Sequence, residues 1–346
     1  MESATKFVSV VIPCREEKKY IAQALKSILA NDYPQDRLEL LVVDGMSTDG
    51  TREIVTEFSR IYPLIKVFDN PKKIPASALN IGIAQAKGDI IMRMDSHSTY
   101  PPNYISSLVE WQDKTGAENV GGVWRTLPGG DSAMARAIAL GMSHPFGVGN
   151  VYFRIGASSP RWVDSVPFGC YPREVFEEIG LFDEDLVRNQ DDEFNLRLKK
   201  KGGRILMVPD LVIDYYAREN LSKLWRMYYQ YGYFKASVAR KLGWVLSLRH
   251  FIPSLFVLAL TGSFLLSWWS PLLGGLGILI LAIYLLADAI FAWRAGRRQG
   301  ITVTACLAIV FPTLHFGYGI GFLKGLVDFF LLGKKGVKAE NVPISR

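Results

Sequence analysis
Two patterns of apolar residues divide the chain near residue 250. Before it, short apolar runs at residues 8–12, 38–43, 65–68 and 90–94 stand between longer stretches of mixed character. Runs this short, bounded by polar residues, predict buried β-strands. Between them apolar positions recur at helical spacing. Tyr20, Ile21, Ala24, Leu25, Ile28 and Leu29 share one helical face, and Ile54, Val55 and Phe58 share another behind Asp49-Gly50-Thr51. Ala78, Leu79, Ile83 and Ala86 follow Pro75, a residue that suits the first turn of a helix, and Gly88 supplies a stop. Further helices are predicted over residues 131–142, 173–179 and 191–201, with an extended stretch at 160–169. The β-α-β-α order implies an α/β fold, a mostly parallel sheet with helices on both faces.

After residue 250 the runs at 251–269, 272–293 and 301–323 are nearly uncharged. Each has about the ~20 residues that cross a bilayer as a helix. Three transmembrane helices are therefore expected. Pro312 leaves the last region open between one crossing with an interfacial helix and a hairpin. Residues 223–242 mix Trp225, Tyr228, Tyr229, Tyr231, Tyr233 and Phe234 with Lys223, Arg226, Lys235, Arg240 and Lys241. That mixture fits a helix lying in the membrane interface. The expected domains are a cytosolic catalytic domain at 1–220, an interface region at 221–250, transmembrane helices at 251–332 and a basic polar tail at 333–346.

The net charge of +7 over 346 residues would by itself admit a nucleic-acid partner. Much of the excess lies at 223–249, 294–298 and 334–338, beside the apolar runs, where cytoplasmic positive charge and anionic lipid explain it better. Nucleic acid is therefore not expected as a partner; membrane lipids are. The N-terminus is polar and the first apolar run is too short for a signal peptide, so the first domain is expected in the cytoplasm of a multi-pass plasma (inner) membrane protein. Cys14, Cys170 and Cys306 are far apart, without metal-ligand spacing, and read as reduced.

The chemistry concentrates at strand ends. Asp95-Ser96-His97 closes the apolar strand Ile90-Ile91-Met92-Arg93-Met94. A carboxylate and an imidazole one residue apart can share a divalent cation, and an oxygen with a nitrogen suits Mn²⁺ or a similar ion. Asp and Ser there could equally cap a turn. Asp44 ends a second strand and can accept hydrogen bonds from a base or ribose, or cap the turn before Ser47. In parallel sheets ligands bind beyond the carboxyl ends of the strands, so residues 13–17, Asp44 and Asp95 converge on one crevice. The first loop, Pro13-Cys14-Arg15-Glu16-Glu17, has no glycine, which excludes the dinucleotide fingerprint. Asp191-Asp192-Glu193 opens a helix. Capping, the helix dipole and a Glu193–Arg197 pair suffice for the last two, while Asp191 could project into the crevice as a general base.

Taken together, Val10-Val11-Ile12-Pro13-Cys14-Arg15-Glu16-Glu17, Val42-Val43-Asp44-Gly45-Met46-Ser47-Thr48-Asp49-Gly50-Thr51, Ala78-Leu79-Asn80, Asp95-Ser96-His97 and Gln190-Asp191-Asp192-Glu193 resemble the membrane-bound glycosyltransferases of family 2, with the GT-A fold. The resemblance is to bacterial exopolysaccharide enzymes of the succinoglycan type. It implies that Pro13, Arg15, Glu17, Asp44 and Ser47 line a nucleoside pocket, and that Arg93, Asp95 and Ser96 join the nucleotide-sugar site. His97 stands where the family's Asp-x-Asp has its last Asp, so Asp95 and His97 would hold Mn²⁺ or Mg²⁺. Asp191 matches the Asp of the family's catalytic Glu-Asp pair, with Gln190 in place of Glu. The Gln-x-x-Arg-Trp motif of processive polymerases is absent, Leu224-Trp225-Arg226 being a loose echo. The implied reaction is inverting transfer of one sugar from a UDP-sugar to a lipid-linked (polyprenyl diphosphate) glycan. Direct transfer to polyprenyl phosphate, or a non-catalytic nucleotide-binding module, are the alternatives.

Overall fold
The computed structural model describes residues 5–243 and 250–334. In chain order the elements are β1 (Val8–Cys14), α1 (Ile21–Leu29), β2 (Leu38–Asp44), α2 (Thr51–Ile61), β3 (Ile65–Asp69), α3 (Pro75–Gln85), β4 (Ile90–Arg93), β5 (Ser98–Thr99), α4 (Tyr104–Thr115) and β6 (Asn119–Leu127). Then come α5 (Ala133–Met142), α6 (Pro145–Val148), α7 (Tyr152–Ile155), β7 (Arg161–Trp162), β8 (Cys170–Pro172), α8 (Arg173–Ile179), α9 (Gln190–Lys200) and β9 (Ile205–Tyr216). The helices α10 (Leu221–Leu242), α11 (Ile252–Leu266), α12 (Pro271–Gly296) and α13 (Ile301–Leu326) complete the chain.

The chain divides into two compact units. The first holds the residues up to Arg125 and Gly156–Tyr215. Among the described residues nine strands form one sheet, in the order β3-β2-β1-β4-β8-β6-β9-β5, with β7 beside β9. The first four are parallel, with Cys14 level with Asp44, Asp44 with Asp69, and Val11 with Arg93. β8 runs antiparallel to β4 and β6, and β5 and β7 run antiparallel to β9. The sheet is thus mixed rather than mostly parallel: the expected parallel order covers β1 to β4, and antiparallel pairings between strands not consecutive in the chain build the rest. β1 and β2 are buried almost throughout, which is why they read as continuous apolar runs.

Glu39 interrupts that apolar run. It is buried and accepts from Ser9 Oγ, Lys87 N and Lys66 Nζ, each at 2.7 Å. Ser9 Oγ also receives Gly88 N at 2.8 Å. The turn that enters β4 is fixed from below by this network. Burial works against ionisation of Glu39, but the Lys66, Ser9 and Lys87 bonds outweigh it and hold the pKa below its ordinary 4.5.

Among the described residues the second unit comprises Thr126–Ile155 and Tyr216 to Lys334. Its centre is α13. A Cβ at Gly321 would lie 2.1 Å from Tyr229 O of α10, one at Gly325 2.5 Å from Tyr233 O, and one at Gly232 of α10 2.1 Å from Tyr318 O. Glycine at these crossings lets the two helix backbones touch, the small-residue packing of membrane helices. On α5, Gly141 faces Val310 of α13 in the same way, at 2.6 Å. About half of α10 is buried, so the aromatic and basic helix packs with α13 along much of its length.

Three spans were expected; among the described residues two helices have the length and apolar composition of one. Pro271–Gln299 and Ile301–Leu331 are long and apolar enough to cross a membrane. The first expected run forms only the 15-residue α11, short of the ~20 residues a crossing takes. α13 carries Pro312 inside one continuous helix, so the hairpin alternative is not adopted. Residues 335–346 of the basic tail and 244–249 of the interface region lie outside the described residues.

Candidate active site
The ends of β1, β2 and β4 bring polar groups together in the first unit. Beyond β1 the chain turns at Glu16, with φ of 54°, and is tied to the loop after β2: Glu16 N donates to Ser47 Oγ at 2.9 Å, Glu16 Oε1 accepts from Thr48 N at 3.0 Å, and Glu17 N donates to Thr51 Oγ1 at 2.8 Å. Gly50, at φ of 101°, lets Asp49 cap α2 by accepting from Thr51 N at 2.9 Å. The donor-side residues predicted from sequence are therefore neighbours. Arg15 crosses to Lys73 O at 3.1 Å.

Asp44 is fully buried and already engaged. It accepts from Ser47 N at 3.1 Å and Ser47 Oγ at 2.6 Å, and Arg52 Nη1 lies 3.3 Å away. It caps its own turn here, through both bonds from Ser47. Ser96 Oγ donates to Pro13 O at 3.2 Å, joining the ends of β1 and β4.

Beyond β4 an arginine organises two acids. Arg93 Nε and Nη2 donate to Asp95 Oδ1 and Oδ2 at 2.8 and 3.1 Å, and Nη1 donates to Asp191 Oδ1. One guanidinium thus bridges the strand end and the first turn of α9. Burial opposes the charge on Arg93, but Asp191 and Asp95 outweigh it and push the pKa up. Burial pushes Asp191 above its ordinary 3.8; Arg93 pulls it back, and Asp95 and Asp192 add to the rise. Its side chain keeps 39% exposure, enough to meet an incoming group. Glu193, as expected from its spacing, is structural: it pairs with Arg197 at 2.7 and 2.8 Å.

His97 stands between two carboxylates. Its Nε2 is 3.7 Å from Asp95 Oδ2, and its Nδ1 is 3.1 Å from Glu17 Oε1. Glu17 was expected in the nucleoside pocket; the structure sets it against the imidazole. A carboxylate on the far ring nitrogen is the usual way to orient a metal-binding histidine. Two ligands at right angles on an ion with ~2.1 Å bonds are about 3 Å apart, so from 3.7 Å Asp95 and His97 need to close by roughly 0.7 Å to share one. These donors fit a divalent cation. Among the described residues no cluster of three or more Asp, Glu, His or Cys side chains forms a metal cage, so the remaining ligands would be diphosphate oxygens and water.

A model of the family described as "Glycosyl transferase family 2" matches residues 9–180. The succinoglycan biosynthesis protein ExoA of Rhizobium meliloti (strain 1021) is 30% identical over 333 residues, 92% of this chain and 95% of its own length. The chain belongs to glycosyl transferase family 2. A dolichyl N-acetyl-alpha-D-glucosaminyl phosphate 3-beta-D-2,3-diacetamido-2,3-dideoxy-beta-D-glucuronosyltransferase of Methanococcus voltae is 29% identical, across 93% of this chain and 97% of that one. Among solved structures, the mannosyltransferase PcManGT from Pyrobaculum calidifontis superposes with a TM-score of 0.60 over 94% of this chain and 88% of that one. At 20% identity this is a likeness of fold, and the fold is GT-A.

This family 2 glycosyltransferase site has three further supports, two of which the sequence missed. Tyr100 OH accepts from Asp95 N at 2.6 Å. Arg52 sits on Asp44, and Asn80 ties α3 to the segment after α8. Asn80 was visible as part of a motif. Tyr100 and Arg52 carry no local signal, because their partners are set by how the strand ends meet.

Proposed function
We propose that this family 2 enzyme is an inverting, metal-dependent hexosyltransferase. It would move one sugar from a nucleoside diphosphate, UDP by preference, to a hydroxyl of a lipid-linked glycan in polysaccharide synthesis. The observation that carries the reading is the Arg93 bridge, which sets Asp191 opposite Asp95 across one guanidinium. Asp191 takes the proton of the acceptor hydroxyl as its oxygen forms a bond to the anomeric carbon. The bond from that carbon to the diphosphate breaks on the opposite face, its electron pair leaves with the nucleoside diphosphate, and configuration inverts. Mn²⁺ or Mg²⁺ held by Asp95 and His97 would supply positive charge to the leaving diphosphate. Glu17 orients His97, and Arg93 keeps the two acids apart and aligned. Pro13, Arg15, Ser47 and Ser96 shape the pocket for the nucleoside side of the donor.

Several likenesses support parts of this. PcManGT is described in complex with GDP-Man and Mn2+, and a GalNAc-T7 structure with UDP, GalNAc and Mn2+ matches at a TM-score of 0.50 over 68% of this chain and 52% of that one. The relatives are named for succinoglycan biosynthesis and for a dolichyl-linked sugar acceptor. Two described helices long and apolar enough to cross a membrane support a membrane anchor. The basic end of α12, from Arg294 to Arg298, would lie in the cytoplasm. Asp191→Asn tests the core of the reading. It should lower turnover roughly 10²–10⁴-fold and leave UDP binding intact. Full turnover in that variant would remove Asp191 as base, and lost UDP binding would move it to the donor pocket.

A further inference from the structure
Asn80 takes no part in the reaction as proposed, yet it is one of the best-connected side chains of the first unit. It sits buried in the middle of α3, where asparagine is a poor helix former. Its amide is spent on the segment between α8 and α9. Oδ1 accepts from Phe182 N at 3.0 Å, while Nδ2 donates to Phe182 O and to Glu184 Oε1, both at 2.9 Å. Glu184 Oε2 in turn accepts from Lys72 Nζ at 2.6 Å. Asn80 thus mimics a strand partner for Phe182, satisfying both backbone groups of one residue.

The same segment is gripped by α9. Arg197 donates to the carbonyls of Ile179 and Leu181, the latter at 2.8 Å, and the Phe182 ring stacks on Phe194 at 4.5 Å between centroids. Phe182 is therefore the joint between α3 and α9. The chain then reaches Asn189 in the left-handed region, at φ of 63°, and α9 begins one residue before Asp191.

We propose that Asn80, with Glu184, is a positioning residue for Asp191. By fixing the backbone at Phe182 it fixes the Phe182–Phe194 stack, and so the height and direction at which the first turn of α9 presents its carboxylate. The proposal rests on the reading of Asp191 as the base. A misplacement of about 1 Å at a reacting group can cost 10²-fold in rate.

The test uses the full-length protein in detergent and two readouts. In Asn80→Ala, backbone amides of residues 181–193 should exchange hydrogen at least ~10-fold faster, those of 44–51 at the old rate. With UDP-glucose, UDP-galactose and UDP-N-acetylglucosamine as donor probes and membrane lipid extract as acceptor, kcat should fall about 10–10²-fold while donor KM stays within about twofold. In an Asp191→Asn background, Asn80→Ala should lower the residual rate no further, because both changes act on one event. An equal further loss there would make Asn80 merely structural and overturn the proposal, as would unchanged exchange at 181–193. Full turnover of Asp191→Asn alone would instead fault the base assignment, and hydrogen exchange would still read the clamp. Should Asn80→Ala not fold, Glu184→Ala removes one of the three bonds at a partly exposed site. It should give the same pattern at about 3–10-fold, and no change in either readout would again overturn the proposal.

Discussion

His97 shows how little of a site is local. Its two carboxylate neighbours come from residue 95 and from residue 17, so only one of them could be found by reading along the chain. If Asp95 and His97 hold the cation, His97→Ala should weaken UDP binding in Mn²⁺ by about 10²-fold and leave the metal-free affinity unchanged. Glu17→Gln, which loosens the ring without removing the ligand, should cost about 10-fold. Titration calorimetry with and without Mn²⁺ reads both, and equal affinities in the two conditions for the unaltered protein would end the metal assignment. Asp191 makes a prediction about pH. Its carboxyl is raised above the ordinary 3.8 by burial, and only the ionised form can accept a proton. Activity should therefore fall on acidification at a pH above that ordinary value. Arg93→Met removes the group that pulls the pKa back down, so the acid limb of kcat should move to still higher pH. A limb that stayed in place would mean that another group sets it. Asp44 teaches the converse lesson. Its place at a strand end was legible, but whether its oxygens face a ligand or Ser47 and Arg52 was not, since both uses need the same residue in the same position.

Elements were legible wherever burial made the pattern simple. β1, β2, β3 and β4 are short apolar runs and were found almost to the residue. β6 and β9 were not, for a physical reason. β6 carries Gly121-Gly122, poor strand formers, because Leu211 O of β9 passes 2.1 Å from where a Cβ of Gly122 would be. β9 contains Pro209, Asp210 and Asp214 on a strand with one changing face. Glu39 illustrates what one polar residue contributes to an element. Glu39→Ala would strand Ser9, Lys66 and the Lys87 amide, a loss of about 3 kcal/mol, seen as a fall of roughly 5 °C in melting temperature. Because the folded pKa of Glu39 is depressed, its contribution is present above the ordinary value of 4.5 and disappears as pH falls through the folded value. Denaturation followed from pH 6 to pH 3 should show stability declining in the native protein and a flatter profile in Glu39→Gln. The α10–α13 crossing makes a matching pair of predictions. Gly321→Ala must force Tyr229 O away and should destabilise by about 1–3 kcal/mol. Gly275→Ala on α12, where a Cβ meets nothing within 4 Å, should be neutral or stabilising by up to about 1 kcal/mol. Thermal melts of the two variants in one detergent compare them directly.

At the scale of the whole molecule the two units obey different solvents. The sheet buries its apolar residues, whereas only 17% of the apolar window of Pro271–Gln299 is buried. Leu272, Ile278, Leu286 and Trp268 stand open, a surface that water does not tolerate over such an extent. The full-length protein should sediment with membranes after lysis and need detergent for release. Recovery in the soluble fraction after ultracentrifugation would refute the anchor. The change of apolar pattern near residue 250 made this division legible, while the end of α11 at Leu266 was not, because an apolar run in sequence does not show where its helix stops. The pairing of α5 with α13 has a consequence for synthesis. The nine described strands are all translated before α10 begins, so the ribosome has delivered them while α13 is still unmade. Domains generally fold in the order they emerge. Throughout that interval α5 and α10 carry faces shaped for a helix that does not yet exist. A ribosome that stalled at Gly300, just before α13, would leave both faces bare.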